Sequence, residues 1–111
     1  MPITIAFADD DLETLCKQQK KAVKKLGAES AKKLQRRLAE LFAANHVAEL
    51  VAGRPHPLKG SRDGQFSVDL HGGQRLIFKP SRKPPPLKPD GGLDWAQVTE
   101  ITILAAEDYH D

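Results

Sequence analysis

At 111 residues and a formal net charge of +2, the chain has the size of one domain with a modest core. Its single cysteine, Cys16, excludes an intrachain disulfide framework. No stretch approaches a membrane span and no apolar leader with a cleavage pattern opens the sequence, so a cytoplasmic protein without a membrane partner is expected.

The distribution of charge says more than its sum. Lys and Arg gather in 17–37 and 54–88, and acids gather in 9–13 and at the C-terminus. Ile3, Ile5 and Phe7 alternate with Thr4 and Ala6, the period of a strand with one apolar face. Asp9, Asp10 and Asp11 follow, acids suited to cap a helix and to favour its positive end. The spacing of Leu12, Leu15, Gln19, Ala22, Val23 and Leu26 predicts one helix over 12–26, stopped by Gly27. A second helix is predicted over 29–43, with Ala31, Leu34, Leu38, Leu41 and Phe42 inward and Lys32, Lys33, Arg36 and Arg37 outward. So short a break between them implies an antiparallel helical hairpin. The pattern allows a further helical turn over 47–51, capped by Asn45. The helical lysines read as solvated faces, since a basic helix alone is a weak sign of phosphate binding.

Segment 54–64 reads as a basic, turn-rich loop in which Pro55 and Pro57 tolerate only an extended edge. Phe66, Val68 and Leu70 then alternate with Ser67 and Asp69, and Leu76 and Phe78 oppose Arg75 and Ile77. Strands over 65–70 and 74–78 therefore form a hairpin turning at His71, Gly72 and Gly73. The stretch 80–92, PSRKPPPLKPDGG, is a proline-rich basic insertion, read as a spacer before a polyproline ligand. Leu93 and Trp95 return the chain to the fold, 98–104 alternates as a last strand of undecided inward face, and 107–111 is a polar tail. The fold class is α+β: a twisted antiparallel sheet packed against an N-terminal helical hairpin, one domain over 1–111. Pairing of the first strand with the last is compatible with the pattern without being dictated by it.

His56, Lys59, Arg75, Tyr109 and His110 stand at strand margins and suit phosphate chemistry. Arg75 offers a fork of donors and Lys59 a mobile point charge. A histidine exchanges protons near neutral pH, and Tyr109 can stack on a base. RNA carries its own nucleophile, the 2′-hydroxyl, so metal-free cleavage needs a base, an acid for the leaving group and charge stabilisation. Structural roles are equally open: His56 bracing a turn, Lys59 flanking Gly60 in solvent, Arg75 pairing with Asp69 across the hairpin. No metal or cofactor is expected. His46, His56, His71 and His110 lack zinc spacing, 9–11 lacks the spacing of a calcium loop, and no GxxxxGK[ST], GxGxxG or nucleophile-triad pattern is present.

HPLKG at 56–60, then Arg62, GQFSV at 64–68, RLIF at 75–78 and EDYH at 107–110 together resemble the HigB-type toxins of the RelE/ParE superfamily of type II toxin–antitoxin systems. The resemblance spans nearly the whole chain, with a longer final connection at 80–92. It implies a RelE-like fold whose cleft receives messenger RNA in the ribosomal A site. It also implies a metal-independent endoribonuclease, an mRNA interferase that stops translation. On the matching positions, His56 would assist proton transfer, Lys59 would contact phosphate and Arg75 would stabilise the scissile phosphate. Asp108 and His110 become candidate acid–base residues, and Tyr109 would orient or stack on the nucleotide. Arg62 and Arg82 are further candidate phosphate ligands. The implied partners are the ribosome with its A-site mRNA, a HigA-like helix-turn-helix antitoxin, and operator DNA reached only through that antitoxin. Two departures stand out: Gln74 precedes Arg75 where the family often has an aromatic residue nearby, and 80–92 is long. They leave codon preference open. Two other readings share the fold: a non-nuclease toxin directed at DNA gyrase, as in the ParE branch, and an antitoxin-binding regulatory module.

Overall fold

The computed structural model describes residues 2–108. The alternating N-terminus forms β1 (Thr4–Phe7), and three helices follow: α1 (Asp10–Lys17), α2 (Gln19–Leu26) and α3 (Ala28–Ala43). The remaining strands are β2 (His56–Pro57), β3 (Phe66–Asp69), β4 (Gln74–Pro80) and β5 (Glu100–Asp108). They form one sheet in the order β1-β5-β4-β3-β2. All neighbours are antiparallel except β1 and β5, the first and last strands, which run parallel with Thr4 opposite Glu100 and Phe7 opposite Ile103. The helices pack on one face of the sheet. Leu12, Leu15, Leu34, Leu38 and Leu41 share a buried cluster with Phe66, Val68, Leu76, Phe78, Ile101 and Ile103. No helix among the described residues is long and apolar enough to cross a membrane.

The helix expected over 12–26 is two helices. Asp9 caps α1, its Oδ1 accepting from the Leu12 N–H at 2.8 Å. The backbone then breaks at Gln18, which is extended at φ −117° and ψ 109°. In a continuous helix the Cys16 carbonyl would accept from the backbone four residues on; here it accepts from Gln35 Nε2 of α3 at 3.1 Å. A tertiary amide thus stands in for a helical bond, and past the break the expected stripe narrows: Ala22 is buried and Leu26 half-buried, while Gln19 and Val23 are exposed. The turn between α2 and α3 is made by Gly27 at φ 92°, in the region that favours glycine.

Three further side chains depart from expectation. Arg37 is buried, not outward: its Nη1 donates to Glu40 Oε1 at 2.6 Å, and the bend at Gly53 closes over it. A Cβ on Gly53 would meet Arg37 Cδ and Nε at 3.2 Å, so a glycine there admits the guanidinium. Phe42 is 58% exposed, because Leu38 and Leu41 already fill the inward stripe near the end of α3. Asn45 does not cap the following turn, a 3-10 turn over Val47–Glu49 with His46 at its N-cap; Asn45 instead donates its backbone N–H to Glu49 Oε2 at 3.1 Å.

The edge tolerated at Pro55 and Pro57 is realised as β2, and only Gly72 in the hairpin turn has positive φ, at 66°. The proline-rich insertion folds back through a bridge between Leu87 and Leu93, and Trp95 then packs on Phe66 with ring centres 4.8 Å apart. The last strand runs to Asp108, so Glu107 and Asp108 belong to the sheet and not to a tail.

Burial fixes the chemistry of Cys16. It is 4% exposed, and desolvation pushes its thiol from 9.0 up to about 11. The unfolded chain ionises first, so this contribution to stability is complete below about pH 9 and is lost as pH rises towards 11. A thiol-exchange reagent near about pH 8 should label Cys16 only as fast as the protein opens. Labelling of native protein at the rate seen in urea would contradict the burial.

Candidate functional site

Side chains alternate along β4. Leu76 and Phe78 enter the helix-covered core, and Arg75, Ile77 and Lys79 point to the opposite face. The register extends that face in two rows. Glu107, Arg75 and Asp69 lie side by side across β5, β4 and β3. Ala105, Ile77, Ser67 and His56 form the next row, across β5 to β2. Leu58 and Ile77 are buried yet stand outside the helix-side cluster, so the segment after β2 folds over this second face.

A bulge sets which β5 residues reach it. The pairing passes from Ile77–Ala105 to Phe78–Ile103, leaving Leu104 as the extra residue. Strict alternation would put Glu107 on the core face with Ile101 and Ile103. With the extra residue, Ala106 is buried at 4% and Glu107 turns out beside Arg75. The inward face that periodicity left undecided is that of Ile101 and Ile103, both fully buried.

Of the expected residues, His56 and Arg75 stand on this face and Arg62 reaches it. His56 Nδ1 lies 2.7 Å from the Arg54 carbonyl oxygen. Sheet spacings put its Cα about 12 Å from that of Arg75. Lys59 is exposed at the start of a 3-10 turn over Gly60–Arg62, with no ion-pair partner among the described residues. Arg62 reaches back over the sheet: Nη1 donates to Gln65 Oε1 at 3.3 Å and Nη2 lies 3.7 Å from Glu107 Oε1. Arg75 Nε is 3.5 Å from Asp69 Oδ1, the cross-hairpin pairing that a structural role predicts. Asp69 Oδ2 accepts from Arg54 Nε at 2.8 Å. Asp108 closes β5 opposite Gln74, one position beyond the Arg75–Glu107 pair, and so takes the register of the Leu76–Ala106 row rather than that of Arg75. Tyr109 and His110 lie outside the described residues.

Arg82 is not brought to this group. It follows the far end of β4, about 17 Å of strand away from Arg75 by the usual rise, and lines a small hollow with Pro80, Pro86, Gln97 and Glu100. Arg54, by contrast, was not expected and stands within the group. It opens the basic segment that holds His56, which is a legible signal; its contacts to Asp69 and His56 depend on a backbone φ of 47° that no residue pattern announces. Among the described residues, no three His, Cys, Asp or Glu side chains converge as a metal site would require.

No family profile matches this sequence, and no curated protein matches it. Solved structures do. A YoeB/ParE toxin from Agrobacterium tumefaciens superposes with a TM-score of 0.61 at 11% identity, over 97% of this chain and 100% of that one. The YoeB dimer from Staphylococcus aureus gives 0.59 at 18% identity, and the YoeB–YefM complex from the same organism gives 0.57 at 17%, both over the full length of each chain. The chain has the RelE/ParE-like α+β fold of these toxins.

The two carboxylates on this face differ in how they are held, and stability should report it. Asp69→Ala leaves Arg54 and Arg75 side by side without their shared anion and is expected to cost about 1–3 kcal/mol in urea unfolding. Glu107→Ala removes only an exposed, long contact and should cost less than about 1 kcal/mol. The opposite ranking would show that Asp69 does not organise the arginines.

Proposed function

We propose that this chain is the toxin of a type II toxin–antitoxin pair, a RelE/ParE superfamily member of the HigB-type branch, and that it cleaves translated mRNA in the ribosomal A site. The observation that carries the reading is the β4–β5 register. The bulge at Leu104 turns Glu107 onto the Arg75 face, so the strand leading into Asp108, Tyr109 and His110 runs beside Arg75. Two pieces of sequence that carry the resemblance, 56–78 and the start of the C-terminal motif at Glu107 and Asp108, thus meet on one sheet.

The chemistry follows from the groups present. His56 accepts the proton of the ribose 2′-hydroxyl as the O2′–P bond forms. Arg75 and Lys59 offset the charge gathering on the phosphate as the P–O5′ bond breaks. The leaving 5′-oxygen takes its proton from an acid, for which the resemblance offers Asp108 and His110; the register of Asp108 with Gln74 rather than Arg75 favours His110, and Tyr109 stacks on the nucleotide. The nucleophile belongs to the substrate, so this route calls for no metal. Only Nε of Arg75 is engaged among the described residues, which leaves its terminal nitrogens for phosphate. Arg62 borders the same face as a further phosphate ligand. The partners of this reading are the ribosome with its mRNA, in the cytoplasm, and a cognate antitoxin of the helix-turn-helix, HigA-like kind that carries the pair to operator DNA. The S. aureus relative of similar fold is itself seen with an antitoxin, YefM.

Purified ribosomes, a defined mRNA and the protein, followed by mapping of new 5′ ends, should reveal cuts in the A-site codon. Arg75→Ala should slow cutting by roughly 10²–10³-fold with its circular dichroism unchanged. A folded protein that leaves every tested codon intact would overturn the assignment. Inhibition of gyrase without RNA cleavage would select the ParE-type reading instead.

A further inference from the structure

Among the described residues, Arg54 is the one non-glycine residue with positive φ, at 47°. L-residues seldom enter that region, so something must hold it there. Three contacts do. The Gly53 carbonyl, from a residue itself at φ 81°, accepts from the Asp69 N–H at 2.7 Å. Arg54 Nε donates to Asp69 Oδ2 at 2.8 Å. The Arg54 carbonyl oxygen meets His56 Nδ1 at 2.7 Å. The first two contacts anchor the bend to β3, and the third is its product.

That third contact decides the state of the imidazole. A carbonyl oxygen has no proton to give, so Nδ1 must carry one. In the neutral ring Nε2 then holds the lone pair. Ser67 Oγ, opposite His56 on β3, has no hydrogen-bond partner among the described residues, so it does not draw the ring elsewhere. We propose that Arg54 is a positioning residue: its left-handed backbone aims its carbonyl at His56 Nδ1, fixes the Nδ1–H tautomer and leaves Nε2 as the basic ring atom facing the ribose 2′-hydroxyl. This rests on the reading of His56 as the proton acceptor in RNA cleavage. It adds the reason His56 is competent before substrate arrives. It also ties that competence to Arg75, because Asp69 anchors Arg54 through one oxygen and pairs with Arg75 through the other.

The test is spectroscopic and needs no turnover. The full chain is labelled with ¹⁵N-histidine and its imidazole nitrogens are read at a pH where His56 is neutral. Wild-type protein is expected to show His56 with a protonated Nδ1 and an unprotonated Nε2. Arg54→Gly keeps the carbonyl and accepts positive φ, so it should keep that tautomer. Arg54→Val is β-branched and resists positive φ, so His56 should move towards the Nε2–H form. In ribosome cleavage both variants lose the guanidinium, so they are compared with each other: Arg54→Val should fall about 10–100-fold below Arg54→Gly in kcat, with KM alike in the two. An Nε2–H ring in the wild-type protein overturns the proposal whether or not the valine variant folds, and so does an Nδ1–H ring that persists in a folded Arg54→Val. Absence of cleavage with the expected tautomer would count against the nuclease reading alone, so the two failures are distinguishable.

Discussion

One extra residue in the last strand governs the site. β5 must present Ile101 and Ile103 to the helices, and four to six residues later it must present a carboxylate to the opposite face. A strand of strict period two cannot do both, because residues 101, 103, 105 and 107 share a side. Burying the two isoleucines is worth about 1.5–3 kcal/mol each, and burying the Glu107 carboxylate beside them would cost several. Leu104 as a bulge resolves the conflict: Ala106 takes the core position and Glu107 stands beside Arg75. The core thereby constrains the register, and the register determines which residues share the candidate site.

That constraint explains what the residues announced and what they concealed. Alternation over 65–70 and 74–78 marks β3 and β4, and with them the side of the sheet on which Arg75 stands. Helical spacing marks the inward stripe of Leu34, Leu38 and Leu41. Each of these signals is local. The break at Gln18 depends on an amide from α3, and the burial of Arg37 depends on Gly53 bending over it. Both are tertiary events that leave no mark on periodicity. The last strand was legible only to 104 because alternation fails where the bulge lies, and a failure of pattern reads as an end rather than a step.

The site divides along the same line. Residue type and order identify His56, Lys59 and Arg75 as groups suited to phosphate, and the hairpin register sets Arg75 opposite Asp69. Arg54 has the right chemistry and lies two positions before His56, yet its contribution is a carbonyl direction, and backbone direction is not written in side-chain pattern. Arg82 is the converse case. Its residue type fits, and its place beyond the far end of β4 separates it from Arg75 by most of the sheet's length.

A carboxylate in the middle of a proposed phosphate site invites the objection that it repels the substrate. The geometry answers it. Asp69 engages Arg54 and Arg75 through their Nε edges, and Glu107 lies 3.7 Å from one nitrogen of Arg62. Arg54, Arg62 and Arg75 thus outnumber the two acids, with Lys59 adding a further cation, so the local balance stays positive. What the acids supply is order. A free arginine side chain loses up to about 2 kcal/mol of rotamer entropy when it is fixed, and here that loss is incurred in folding rather than when RNA arrives. Donors already aimed at the charge that develops in the transition state need no reorganisation at the moment of reaction. On this account the carboxylates are part of the cationic site, and the left-handed bend at Arg54 is the point where the ordering of the cations and the tautomer of the base become one structural problem.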